Sequence, residues 1–133
     1  MLRNKSLSRW SFILASLIVI SLILWNTYIF FNQLKENERE KMEIWAVAQE
    51  ELAQSQEDEG SPISETALTI IRSNSTTPMI LHTLKEDNYE GRNIDEKILE
   101  SEADTRAKIE QFSSEYDPLE VKYNDQVLSI IYF

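Results

Sequence analysis

The side chains with the widest chemical repertoire are scarce in this chain. His82 is the only histidine and cysteine is absent. That excludes a thiolate nucleophile, a disulfide framework, a cysteine-held zinc or iron-sulfur centre and a histidine metal cluster within one chain. A lone histidine inside MILHTL reads as an ordinary strand or strand-end residue. Carboxylates are abundant by contrast, and Asp95, Glu96, Glu100, Glu102 and Asp104 are dense enough to raise the question of a divalent cation. Glu100 and Asp104, four apart, share a helix face, whereas Asp95 and Glu96 point elsewhere. The set lacks the ordered ligand spacing of an EF-hand, so a solvated helical face is expected. Glycosidase chemistry needs two carboxylates across a shaped cleft, which abundance does not supply. A GxSxG elbow and a phosphate-cradling GxxxxGK[ST] loop are both missing, and Gly60 and Gly91 are the only glycines. No catalytic residue, cofactor site or metal site is therefore assigned to this chain.

What remains is recognition without covalent chemistry. Loops on a rigid support are where polar groups can be offered to a ligand. The candidate sensing surface is the Ser73–Met79 loop, the strand after it and the Lys85–Asn93 turn, with Asn74, Thr76, Thr77, His82, Asn88, Tyr89 and Arg92 as its residues. Asn74-Ser75-Thr76 is also a formal glycosylation sequon, relevant only in a host with that machinery.

The elements that must position these residues are set out by charge and hydropathy. Across 133 residues the chain carries a net charge of −10, unevenly distributed. Residues 1–34 hold Arg3, Lys5 and Arg9 and no acid, while residues 35–133 hold 10 basic and 23 acidic residues. That acidic part lacks the concentrated positive footprint of a nucleic-acid surface, and it is unsuited to anionic lipid. From Trp10 to Leu34 there is no charged residue. About 20 helical residues cross a hydrocarbon core of about 30 Å, so this run is long enough to span. Trp10 at one end and Trp25, Tyr28, Phe30 and Phe31 toward the other suit the two interfaces. The run is longer than a signal-peptide core, and its exit, YIFFNQLKENE, has no small-x-small processing site, so an uncleaved anchor is expected. The basic leader places residues 1–9 in the cytoplasm, residues 10–34 in the membrane and residues 35–133 outside.

No proline or glycine occurs from Met1 through Glu59, so the membrane helix is expected to continue unbroken as a stalk over residues 35–59. Trp45, Ala48 and Leu52 recur at helical spacing there, widened by Ile44, as a stripe that packs on the domain or on a second copy. Glu57, Asp58, Glu59 and Gly60 interrupt the pattern, and Ser61-Pro62 can cap and start a helix buried through Ile63, Ala67, Leu68, Ile70 and Ile71. Residues 79–84 predict a strand and residues 85–93 a polar turn. Residues 95–113 predict a helix with Ile98, Leu99, Ala103, Ile109 and Phe112 inward. Two strands, 119–123 and 126–133, are joined at Asn124-Asp125. The fold class expected is α/β (α+β): a long N-terminal transmembrane helix continuing into a stalk, then a small PAS-like mixed domain, residues 60–133, with an antiparallel C-terminal hairpin.

The order of these features resembles one family. The basic leader, the anchor WSFILASLIVISLILWNTYIFF, the long stalk, the segment IIRSNSTTPMILHTLKEDN, the GRNID stretch and the closing PLEVKYNDQVLSIIYF are similar to the amino-terminal sensor region of membrane-bound bacterial sensor histidine kinases of the Bacteroidetes type. The resemblance implies a signal-sensing and anchoring part in the bacterial inner membrane, single-pass here. It implies truncation before a second membrane helix, which the apolar finish at Phe133 also suggests. ATP, magnesium and a response regulator would engage only a downstream kinase core, so no activity is expected of this chain alone. His82 lacks the phosphoacceptor context of that family. The partners implied are the lipid bilayer, a second copy through the membrane and stalk helices, and an unknown extracytoplasmic stimulus. A single-pass envelope scaffold or assembly protein, and an anchored module delivering a ligand to a transporter or receptor, are the competing readings.

Overall fold

The computed structural model describes residues 2–57, 60 and 62–133, with side chains from Ser6 onward. A first helix, α1, runs Leu2–Glu57 without interruption, as the absence of proline and glycine allows. It is followed by α2 (Glu65–Ser73), β1 (Met79–Thr83), β2 (Asn88–Arg92), a 3₁₀ turn (Glu96–Glu100), α3 (Glu102–Glu115), β3 (Leu119–Tyr123) and β4 (Gln126–Tyr132). The fold is α+β: a long N-terminal helix, then a small domain with a four-stranded sheet that ends in an antiparallel hairpin.

Two compact units divide at Asn37/Glu38. The first is helix alone, and its Phe, Ile, Leu, Val and Trp side chains are exposed on every side. A helix apolar all round is stable only where something other than water surrounds it. Among the described residues, one helix is long and apolar enough to cross a membrane, and none of its apolar stretch is buried within the protein. Ser21 Oγ donates to the Leu17 carbonyl at 2.9 Å, so its hydroxyl needs no outside partner.

The second unit, Glu38–Phe133, is built on an antiparallel sheet of order β2-β1-β4-β3. Pleating sends alternate residues to opposite faces. Met79, Val121, Ile131 and Phe133 join Met42, Trp45, Ala46 and Ala48 of α1 and Ala67 and Ile71 of α2 in one core, with Leu52 partly buried against it. The segment of α1 within this unit thus packs on its own domain. Ile80, His82, Tyr89, Gly91 and Tyr132 occupy the opposite face by register, beneath the 3₁₀ turn and α3.

Local chemistry explains most boundaries. Asn124 and Asp125 both take positive φ, 49° and 62°, which gives the two-residue hairpin the twist its strands require. Ser64 and Ser101 cap α2 and α3 by accepting the Ala67 and Asp104 amides. Helix α2 therefore starts later than Pro62. The expected cap residue Ser61, and the breakers Asp58 and Glu59, lie outside the described residues, as does Met1 of the leader.

Three expectations need correction. Residues 88–92, read as polar turn, form β2: NYEGR offers one large apolar residue, and pairing to β1 rather than intrinsic preference makes it a strand. The single helix over 95–113 is two elements, because Ser101 at φ −115°, ψ 121° breaks it; Ala103 is consequently exposed. Ile44 and Ile63 are 56% and 52% exposed and do not extend the buried stripes. The Val121/Lys122 bulge was not legible either. There Glu50 Oε1 accepts the Lys122 amide at 2.9 Å and ties α1 to the edge strand.

Ile131 is fully buried at the centre of the sheet. Replacing it with alanine is expected to cost about 2–5 kcal/mol, measurable by urea unfolding of the detergent-solubilised protein.

Candidate functional site

The sheet face turned toward α3 carries a cleft of about 420 Å³. Its floor comes from β1, β2 and β4 through His82, Tyr89 and Tyr132, and its opposite wall from the 3₁₀ turn and α3 through Leu99, Glu102, Thr105, Arg106 and Ile109. His82 and Tyr89 are cross-strand partners, and their rings stack at 4.2 Å with planes 9° apart. His82 Nε2 lies 2.9 Å from Asp87 Oδ1, a bond that requires the proton on Nε2 when the imidazole is neutral. Asp87 stands at φ 48°, in the left-handed region that aspartate tolerates, and so brings its carboxylate back over the strand. The result is a flat, pre-ordered aromatic floor.

The opposite wall is equally fixed. Thr105 Oγ1 lies 2.9 Å from the Ile98 carbonyl and 3.0 Å from that of Ser101, which locks the 3₁₀ turn to α3. Gly91 lets that turn approach the sheet: a Cβ there would stand 2.6 Å from Ile94 Cδ1. Glu102 and Arg106 pair at 2.9 Å on the exposed rim. An exposed i,i+4 pair contributes only about 0.3–0.5 kcal/mol, so either member can turn to a ligand at little cost. The lining is mostly apolar with a few convergent polar groups, the composition of small-molecule sites.

The structure separates the predicted sensing residues. His82 and Tyr89 are in the cleft; Asn88 is an exposed residue at the start of β2. Thr76 and Thr77 instead fasten the α2–β1 loop to α1, Arg92 joins β2 to α2 and Trp45, and Asn74 braces the loop from within. Thr77 Oγ1 donates to Glu38 Oε2 at 2.6 Å, while Lys41 Nζ donates to the hydroxyls of Thr76 at 2.9 Å and Thr77 at 2.7 Å. Arg92 Nη1 donates to the Ile71 carbonyl at 2.9 Å, and its guanidinium lies 5.7 Å from the Trp45 ring centre. Asn74 is 6% exposed, with its Nδ2 donating to the Thr77 carbonyl and Met79 Sδ. The sequon asparagine is thus committed to the fold and leaves no room for a glycan.

The cleft residues missed in the sequence are Leu99, Glu102, Thr105, Arg106, Ile109 and Tyr132. Leu99 and Ile109 were visible as inward helix positions, but their facing partners depend on strand register. Asp95, Glu96, Glu100, Glu102 and Asp104 are all exposed. Among the described residues, no cluster of His, Cys, Asp and Glu is placed to hold a metal ion.

Among the described residues, three groups are shifted. Partial burial, reinforced by the nearby Tyr89 phenol, raises Tyr132 above the usual tyrosine value. Burial first, then Glu38 and Glu115, raises Tyr116. The hydrogen bond and charge of Glu120 raise the exposed Lys122.

Comparison with protein-family models, with curated proteins and with solved structures finds no match.

Three outcomes follow. A group whose folded pKa exceeds its unfolded value stabilises the fold below the unfolded value and loses that contribution as pH rises through the folded one. Stability should therefore fall above about pH 10, and Tyr132→Phe should remove a part of the tyrosinate absorbance at 295 nm that titrates above the usual tyrosine range. Thr77→Val, which strips Glu38 and Lys41 of their shared hydroxyl, is expected to cost about 1–2 kcal/mol in urea unfolding.

Proposed function

We propose that the protein is the membrane-anchoring and signal-sensing part of a bacterial two-component sensor histidine kinase, with residues 35–133 outside the cytoplasmic membrane. The observation that carries this reading is the pre-ordered cleft on a small domain whose chain also holds a helix of membrane-spanning length. Arg3, Lys5 and Arg9 ahead of the apolar run support a cytoplasmic amino end. In the proposed receptor the stimulus is a small, flat, largely apolar molecule that lies on the His82–Tyr89 floor, with a polar end at the Glu102–Arg106 rim. Phosphoryl transfer belongs to a kinase core outside residues 1–133.

The route from cleft to helix is short. Strand β1 presents His82 to the cleft and Met79 to the core that contains Trp45 of α1. A ligand that holds α3 closer to the sheet changes which packing of β1 is preferred, and with it the seat of α1. It shifts the population only by as much as it binds the two arrangements differently.

The absence of cysteine makes the test direct. Glu110→Cys, on an exposed turn of α3, should react with a membrane-impermeant maleimide on intact cells; reaction only after lysis rejects the outward placement. With indole as the probe, saturable shifts confined to His82, Tyr89 and Tyr132 resonances in micelles are expected. Unsaturable shifts scattered over the surface would reject the cleft as a ligand site.

A further inference from the structure

A second concave surface lies away from the cleft, between α1 and α2. It measures about 450 Å³ and is lined by Glu40, Glu43, Ile44, Val47, Ala48, Glu51 and Ile70. Ile44 and Val47 are 56% and 62% exposed, and they stand side by side on a helix whose other face fills the core. Two large aliphatic side chains held in water beside a half-buried isoleucine form an unpartnered apolar strip.

The sequence along this strip restricts what can cover it. Glu40, Ile44, Val47 and Glu51 follow the 4-3-4 spacing of core positions in a pair of packed helices. In a parallel pair of identical helices Glu40 would face its own counterpart, and so would Glu51. In an antiparallel pair Glu40 would face Glu51. Either arrangement brings carboxylates together at the seam, where like charges are costly. Glu43 already has Arg39 at 3.0 Å, whereas no cation is paired with Glu40 or Glu51 among the described residues. The apolar centre with acid at both ends calls for an occupant with aliphatic side chains at its middle and positive charge at its flanks.

We infer that this groove docks a basic amphipathic helix of another protein, with Lys or Arg at positions i and i+11 and large aliphatic residues at i+4 and i+7. The apolar pair enters between Ile44, Val47 and Ile70, and the flanking cations meet Glu40 and Glu51. Because 4-3-4 reads the same in both directions, the spacing selects the pattern and not the chain direction. The groove lies apart from the small-molecule cleft and shares none of its residues, so the inference stands whether or not the cleft binds a stimulus.

The test uses the full chain in non-ionic detergent micelles and three fluorescein-labelled helical peptides followed by anisotropy. One carries Lys at i and i+11 with Leu at i+4 and i+7. The second carries Glu at the two flanks. The third has the composition of the first, with its leucines moved to the opposite helix face. Saturable binding of the first, about tenfold or more weakened in the other two, is expected. Glu40→Lys combined with Glu51→Lys should reverse the preference between the first two peptides, with circular dichroism reporting that the fold is kept. Equal binding of the first two peptides to the natural chain would reduce the groove to unspecific apolar contact and overturn the inference. Equal binding of the shifted-leucine peptide would reduce it to general attraction to an acidic surface, with the same consequence. Efficient cross-linking of Val47→Cys chains to each other without peptide would identify the occupant as a second copy and overturn it too. If the double variant fails to fold, the three peptides on the natural chain still decide.

Discussion

The domain is organised around the burial of one indole. Trp45 is 2% exposed, and its Nε1 donates to the Ile71 carbonyl at 3.2 Å, so the only polar atom of the ring is satisfied where the helix packs. Removing roughly 200 Å² of such a side chain from water contributes on the order of 5 kcal/mol before conformational entropy is charged against it. The same Ile71 carbonyl accepts from Arg92 at the end of β2, so α1, α2 and the edge strand meet on a single acceptor. Take the indole away and three elements lose their common reference.

From that point the two faces of the sheet have separate tasks. Met79, Val121 and Ile131 pack on α1 and α2, and this face is closed by apolar contact and by the Glu38–Thr77–Lys41 hydroxyl bridge. The other face is held open. The cross-strand stack of His82 on Tyr89 supplies a rigid floor, and the Thr105 ties hold the wall. A pocket persists there because the side chains that could collapse into it are already committed. Strand β1 belongs to both faces, which makes it the element through which occupancy of one could be felt by the other.

Charge acts at a different level. Among the described residues the acids do not assemble into a metal-holding cluster, and most are exposed to solvent. Where two of them bracket exposed aliphatics, at Glu40 and Glu51, they act as selectors, because a seam between identical chains would set carboxylate against carboxylate.

The span-length apolar run, the unbroken α1, the terminal hairpin with its Asn124-Asp125 turn and the mixed class were all legible in the sequence. Each depends on interactions within a few residues: a run of apolar side chains, the absence of a helix breaker, two residues that tolerate positive φ. The site was legible only in fragments. His82 and Tyr89 could be suspected from their types, yet Asn74, Thr77 and Arg92 looked the same and proved to be fasteners. That division depends on which face of the sheet a side chain takes and on what lies across from it. Strand β2 shows the reason most plainly: its five residues have little preference for extended structure, and only the hydrogen-bonding edge of β1 makes them a strand. Local chain chemistry determined the elements, whereas pairing register and burial, which join residues far apart in the chain, decided which residues line the cleft and which hold the fold together.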